Sequence, residues 1–270
     1  MPRLLPAPCF VHLADLHLGY AQYNLPERRE DFAKAFSNAV KKILEINPEL
    51  VIIAGDVFDD PRPTNITLAT AIREFRRLKD AGVPVLVTDG SHDGEPNVLT
   101  GTVLIPLHNA GLIEYLPRLK NAAWKNQQFY VYGLRSFRGL KEADEKLPTY
   151  LTENSPSPDP DLFNICVFHG AVDGLPSLPP FIKPDIRIEH LPSGFDYYAG
   201  GHIHRPVKTP LSSGILAYPG SLEATSYDES EVDKGFFRVT VQSKEALVER
   251  IPIEDTRPFI TVRSNARVTE

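Results

Sequence analysis

The 270-residue sequence predicts an α/β fold. Three observations carry this expectation. Short apolar runs of strand length alternate with amphipathic helical patterns through the first half of the chain. Beyond a turn-rich stretch at 155–161 (SPSPDPD), short strands outnumber helices. Metal-capable side chains fall just past the ends of five apolar runs, the edge at which open α/β sheets bind ligands.

Met1–Pro8 carries three prolines and no long apolar stretch, so it reads as an extended tail rather than a signal peptide. Cys9–Ala14 reads as the first strand. Pro26 opens a helix with Glu27, Glu30 and Asp31 near the positive end of its dipole. Phe32, Phe36, Val40, Ile43 and Leu44 recur along it at helical spacing, and Asn47-Pro48 ends it. Leu50–Ala54 is the next strand. Thr64 then caps a helix with Leu68, Ile72, Phe75 and Leu78 on one face. Pro84–Val87 reads as a strand and Val98–Ala110 as a third helix. Later strands are Phe129–Leu134, Leu162–Phe168, Tyr197–Ala199, Ile215–Tyr218 and Phe236–Val241, with the 155–161 linker between two halves. Residues 257–262 (RPFITV) look like one more strand, opening another module. Strand–helix alternation implies parallel strands joined by crossover helices.

Composition narrows the class. No apolar run approaches the ~20 residues of a membrane span. Cys9 and Cys166 sit in apolar runs and read as buried thiols of a reducing compartment. One Met, two Cys and 25 Pro suit a heat-adapted source. The net charge of −6 argues mildly against a broad basic face for nucleic acid. It does not exclude one, because a metal site concentrates acidic ligands whose sign bound cations reverse.

The five strand ends are specific. Ala14 leads into Asp15, with His17 two residues on. Gly55 leads into Asp56, with Asp59 three later, and Val87 is followed by Asp89-Gly90-Ser91-His92-Asp93. Phe168 leads into His169, and Gly200-Gly201 into His202 and His204. Residues two apart in an extended segment project to one side, so Asp15/His17 and His202/His204 can act as pairs. Strands ~4.8 Å apart let such ends converge on one pocket. Each group alone is more plainly a polar loop; the ordered conjunction is what points to metal. Mixed carboxylate and imidazole ligands suit manganese, iron or zinc better than calcium. His12 reads instead as a strand residue, and His108 and His190 as helix or loop residues.

The order D-x-H, G-D-x-x-D, a G-x-H-D loop, a lone His and G-H-x-H resembles the calcineurin-like metallophosphoesterase superfamily. Within it, HLADLHLGYAQYN (His12–Asn24), IIAGDVFDDPRP (Ile52–Pro63), YYAGGHIH (Tyr197–His204), YPGSLE (Tyr218–Glu223) and KGFF (Lys234–Phe237) are similar to the archaeal Mre-eleven and bacterial SbcD nucleases. The matches run from about residue 9 to about 262. The resemblance implies a two-sheet sandwich flanked by helices in four αββα layers. It also implies a nuclease domain over 9–255, after the tail at 1–8 and before the start of a capping module, mostly absent, at 256–270. Asp15, His17 and His204 would hold a first metal, Asp56 would bridge, and His169 and His202 would hold a second. His92 would act at the scissile phosphate, with Asp59 orienting it. The family's usual asparagine ligand is Ser91 here, a shorter and weaker donor, so looser binding at the second metal is expected. Whether Asp89 or Asp93 substitutes for it stays open.

The resemblance further implies two divalent cations, manganese foremost, with magnesium, iron or zinc as alternatives. It implies DNA as substrate, cut as a 3′-to-5′ exonuclease on duplex ends and an endonuclease on single strands in double-strand-break repair. Tyr20, Tyr23, Arg62, Arg205 and Lys208 follow the ligand loops and are candidate phosphate contacts, or ordinary surface residues. The implied partners are a second copy, through Leu68, Leu104 and Leu107, and a coiled-coil ABC-type ATPase whose binding segment lies outside this chain. The implied setting is cytoplasmic and nucleoid-associated in a prokaryote, most simply an archaeon. Two rival readings remain: a small-molecule phosphodiesterase or phosphatase, and a DNA-end-binding scaffold with impaired catalysis.

Overall fold

A computed structural model describes residues 7–94, 101–175, 182–212 and 214–260. Its strands are β1 (Cys9–Leu13), β2 (Leu50–Ala54), β3 (Val85–Thr88), β4 (Glu114–Tyr115), β5 (Ala123–Lys125), β6 (Phe129–Gly133), β7 (Phe163–His169), β8 (Tyr197–Gly201), β9 (Val207–Leu211), β10 (Gly214–Tyr218), β11 (Gly235–Gln242) and β12 (Glu245–Pro252). The helices are α1 (Pro26–Ile46), α2 (Asn65–Asp80), α3 (Leu104–Asn109) and α4 (Leu140–Glu153). The strands form two six-stranded sheets, ordered β12-β11-β1-β2-β3-β4 and β5-β6-β7-β8-β10-β9. Each has a parallel heart, β1 to β4 in the first and β6-β7-β8-β10 in the second, with antiparallel strands outside it.

Side-chain alternation builds the layers. Val11 and Leu13 of β1 face outward and share a core with Phe36 and Val40 of α1 and Phe75 of α2. Phe10, on the opposite face of β1, points inward and joins Phe129, Ile165, Val167 and Tyr197 of the second sheet. Cys166 and Phe168 face the far side and pack on Ala143 and Leu147 of α4. The result is helix, sheet, sheet, helix, as the resemblance implied. Phe10 meets Phe129 and Tyr197 edge-on, with centroids 5.7 and 5.2 Å apart. Burying each such ring contributes roughly 1.5–3 kcal/mol.

The helix starts are as the sequence predicts. Pro26 opens α1, and the Thr64 side chain accepts the Thr67 N–H at the start of α2. Asn47, left-handed at φ 52, closes α1. Cys9 and Cys166 are buried free thiols, and no helix among the described residues is long and apolar enough to cross a membrane.

Several expectations change. Helix α4 has no counterpart among the predicted elements, because charges crowd it and Pro148 interrupts it; Ala143, Leu147 and Tyr150 nevertheless bury one stripe. Strands β4, β5, β9 and β12 also lack a strong apolar signal: β4 and β5 are very short, β9 carries Pro210, and β12 is an exposed edge. The third helix shrinks to α3, and residues 98–100 of its expected span lie outside the described residues. The 155–161 stretch joins α4 to β7 inside the second half, so it does not separate the two sheets. Residues 257–260 form no strand. Instead Arg257 pairs with Asp31 of α1, and Phe259 lies under the Arg28 guanidinium. Residues 261–262 of that expected strand are not among those described.

Candidate metal centre

The carboxyl ends of β1, β2 and β3 in one sheet and of β7 and β8 in the other open on one cleft of about 300 Å³. Asp15, His17, Asp56 and His202 all take left-handed backbone conformations there (φ 56, 42, 50 and 93). Such conformations cost about 1–3 kcal/mol each and concentrate at functional sites. Two glycines let the loops close. A Cβ at Gly90 would overlap the Asp56 carboxylate, and one at Gly201 would overlap the Ala54 carbonyl.

The expected ligands converge. His17 Nε2 and His204 Nε2 are 3.1 Å apart, and His204 Nε2 is 4.0 Å from Asp15 Oδ1. His169 Nε2 is 3.2 Å from Asp56 Oδ2, and its Nδ1 is 3.9 Å from Asp15 Oδ1. His17 Nε2 is 3.9 Å from Asp56 Oδ2. Three overlapping clusters result: Asp15/His17/His204, Asp15/Asp56/His169 and His17/Asp56/His92.

Hydrogen bonds fix several of these groups. The Ala54 carbonyl accepts from His169 Nδ1 at 2.9 Å, which turns the buried His169 Nε2 towards Asp56 without a well-formed hydrogen bond. Both Asp15 oxygens accept the His202 N–H at 2.9 and 3.1 Å. Asp56 accepts the His92 N–H at 2.8 Å and the Ser91 hydroxyl at 3.3 Å. Burial works against the charge on Asp56, yet His169, His17 and His92 hold its carboxyl far below the usual range. Burial likewise opposes charge on His169, but Asp56 and Asp15 raise it to about 10.

These donors fit divalent metal. Two buried carboxylates face imidazole nitrogens that point at one another, and a buried Nε2 that no hydrogen bond satisfies needs a partner. Imidazole with carboxylate is the donor set of manganese, iron or zinc.

Not every candidate lands where expected. His202 belongs to none of the three clusters; its Nε2 faces Asp185 Oδ2 at 3.6 Å, and its ring stands edge-on to His169. The Asp59 carboxylate is nearer His17 Nδ1 (3.4 Å) than His92 Nδ1 (3.8 Å). The Asp59 backbone carbonyl is what orients His92, at 2.7 Å. Neither neighbour of Ser91 replaces the missing amide. Asp93 accepts the Val57, Phe58 and Gly90 N–H groups, and Asp89 accepts the Tyr115 hydroxyl and the Ser136 N–H. Burial and the Asp56 charge raise Asp93 to about 7.

Arg205 lines the cleft and donates to the Asp228 carbonyl at 2.8 Å. Tyr20 stacks edge-on against Phe32, Tyr23 is 73% exposed, and Arg62 is exposed. Lys208 instead reaches the Val248 carbonyl and the Phe237 ring, linking the two sheets. Leu104 and Leu107 are buried in the first core, so they form no surface; Leu68 packs partly against that core. Sequence reasoning missed Glu229, which accepts from His204 Nδ1 at 2.9 Å, with Thr225 and Lys234 around it. It missed Asp185 behind His202, and Arg138, whose guanidinium reaches the Ser91 carbonyl at 3.5 Å. Their only sequence signal is charge inside otherwise polar loops.

Comparison with known proteins agrees with this geometry. The calcineurin-like phosphoesterase family profile matches residues 10–206. A DNA double-strand break repair protein Mre11 from Methanocaldococcus jannaschii is 32% identical over 272 residues, covering 94% of this chain and 68% of its own length. The protein of the same name from Archaeoglobus fulgidus is 31% identical over 83% of this chain and 52% of its own. The chain thus spans from about half to about two thirds of these relatives. Among solved structures, TT1561 of Thermus thermophilus (TM-score 0.56, 12% identity, 90% of this chain and 99% of that one) shares the fold. A dimetal phosphatase from Danio rerio does too (TM-score 0.53, 13% identity, 93% and 100%). The chain belongs to the calcineurin-like phosphoesterase family and, within it, to the group that holds the archaeal Mre11 proteins.

Proposed function

We propose that this chain is the nuclease core of a double-strand-break repair protein, a metal-dependent hydrolase of DNA phosphodiesters. The observation that carries the reading is the meeting of Asp15, His17, Asp56, His169 and His204 at the shared edge of two sheets. In the proposed roles, Asp15, His17 and His204 would hold one cation and Asp56 would be shared with the second. His169, Ser91 and, after a side-chain turn away from Asp185, His202 hold the other. Two divalent cations, manganese foremost, supply charge neutralisation on the phosphate and an acidified water.

The remaining chemistry belongs to the chain. His92 donates Nδ1–H to the Asp59 carbonyl, which aims its ring outward over the cleft. There, as an imidazolium, it can deliver its Nε2 proton to the departing sugar oxygen and return to neutral imidazole. Arg205 lines the cleft and Arg138 reaches the Ser91 carbonyl beside it, and both suit phosphate oxygens of the bound strand. With Leu104 and Leu107 in the core, a homodimer contact falls to Leu68 and the exposed Ile66 of α2. A coiled-coil ABC-type ATPase subunit is the second proposed partner.

The test compares Mn2+-dependent turnover of linear duplex DNA, single-stranded DNA, a cyclic nucleotide and a phosphomonoester. Shortening of duplex ends from the 3′ side and internal cutting of single strands are expected. Preference for the cyclic nucleotide or the monoester would replace the reading with the small-molecule one. DNA binding without cleavage in excess Mn2+ would leave a scaffold.

A further inference from the structure

We propose that Glu229, backed by Lys234, is a positioning residue that fixes His204 in the tautomer whose bare Nε2 faces the metal cleft. This rests on the reading of the cleft as a divalent-metal site. The count of donors and acceptors around Glu229 decides it. Glu229 and Lys234 are buried, at 8% and 3% exposure. Lys234 donates to Glu229 Oε2 and, at 2.9 Å, to Ser221 Oγ. An ammonium has donors only, so Glu229 must accept from it. The Thr225 hydroxyl spends its single proton on Glu229 Oε1, and the Thr225 N–H reaches Oε2 at 3.3 Å. Held this way, Glu229 stays ionised, and an ionised carboxylate is acceptor-only. His204 Nδ1, 2.9 Å from Oε1, must therefore carry the ring proton. The lone pair is left on Nε2, 3.1 Å from His17 Nε2 and 4.0 Å from Asp15 Oδ1.

The other oriented histidines of the cleft differ. His169 and His92 each give Nδ1–H to a neutral backbone carbonyl. Among the described histidines, only His204 leans on a carboxylate that a buried ammonium holds in place. An anionic acceptor makes the imidazole a stronger donor as well as a correctly turned one.

Glu229→Gln can present an amide N–H as readily as a carbonyl, so it no longer forces the tautomer. Its Mn2+ affinity at the His204 site is expected to fall about 10- to 100-fold. Lys234→Met should lose less, since the carboxylate remains. Nitrogen–proton correlation spectra of 15N-histidine protein, metal-free and at a pH where His204 is neutral, read the tautomer; His204→Gln assigns the signal. Nδ1–H alone is expected in wild type and a mixture in Glu229→Gln. Should Glu229→Gln unfold, the neutral pair Glu229→Gln/Lys234→Met restores a satisfied interior and carries the same two readouts. An unchanged tautomer together with unchanged Mn2+ affinity in the folded variant overturns the inference alone. If wild-type protein takes up no Mn2+, or His204→Gln binds it equally well, the metal reading itself fails.

Discussion

The two corners of the cleft are built differently. At the Asp15 corner the histidines are held by side chains: Glu229, Lys234 and Thr225 fasten His204, and Asp59 stands behind His17, while the His202 N–H holds Asp15. At the Asp56 corner, backbone dominates. The Ala54 carbonyl orients His169, backbone N–H groups occupy Asp93, and Ser91 offers only a short hydroxyl, spent on Asp56 itself. Both a carboxylate and a carbonyl fix the proton and the angle of an imidazole, but only the anionic one also makes the imidazole a stronger ligand. The first corner should thus bind tightly and the second loosely.

Four experiments probe this contrast. Asp56→Asn should do the most damage, because Asp56 is the proposed bridge and meets His17, His92 and His169. It should lower turnover by roughly 10³-fold or more and abolish Mn2+ uptake at the second corner, as read by calorimetric titration. Retention of two full sites would contradict the bridge. Next comes His92→Ala, expected to lower kcat by about 10²–10⁴-fold while the Mn2+ titration stays as in wild type. A matched fall in metal affinity would instead make His92 a ligand, as its place beside His17 and Asp56 allows.

The third experiment addresses the weak corner directly. Ser91→Asn supplies a longer neutral oxygen and should tighten the second Mn2+ site by about tenfold, a change of the size outer contacts produce. An unchanged titration would show that Ser91 never approaches the ion. The mildest change is expected beneath the site. His12 is fully buried, shares a hydrogen bond with the Tyr197 hydroxyl at 3.0 Å, and is pushed down to about 3 by burial. Its folded value lies below its unfolded value of 6.5. The unfolded chain therefore takes up a proton that the folded chain refuses. Stability should fall as pH drops from 6.5 towards 3, by at most about 1.4 kcal/mol per pH unit from this group. Denaturant melts of wild type and His12→Asn over that range check it; parallel curves would remove His12 from the acid limb.

Much of this was legible in the chain. The apolar run of β1, the helical stripe from Phe32 to Ile43 and the Thr64 cap are local patterns, and local patterns survive into the structure. The same holds for the metal-capable residues, because a strand end delivers the next few residues to the sheet edge whatever lies around it. Weaker elements were not legible. Helix α4 is set by packing against β6 and β7 rather than by propensity, and β12 exists because β11 offers it an edge. Only the family resemblance put Leu104 and Leu107 at a dimer surface; the pattern alone reads as core, and an apolar face looks the same whether a core or a partner covers it.

Local pattern was thus enough for the α/β class, the parallel hearts of the sheets and the side chains that could meet a cation. Those properties depend on neighbours within a few residues. Packing of the two sheets was needed to bring His169 and His204 against Asp15 and Asp56. Packing also turned Asp59 towards His17, and set Glu229 and Lys234 behind His204. These pairings join residues up to 189 positions apart (204 − 15), and through-space hydrogen bonds and charge are blind to sequence distance.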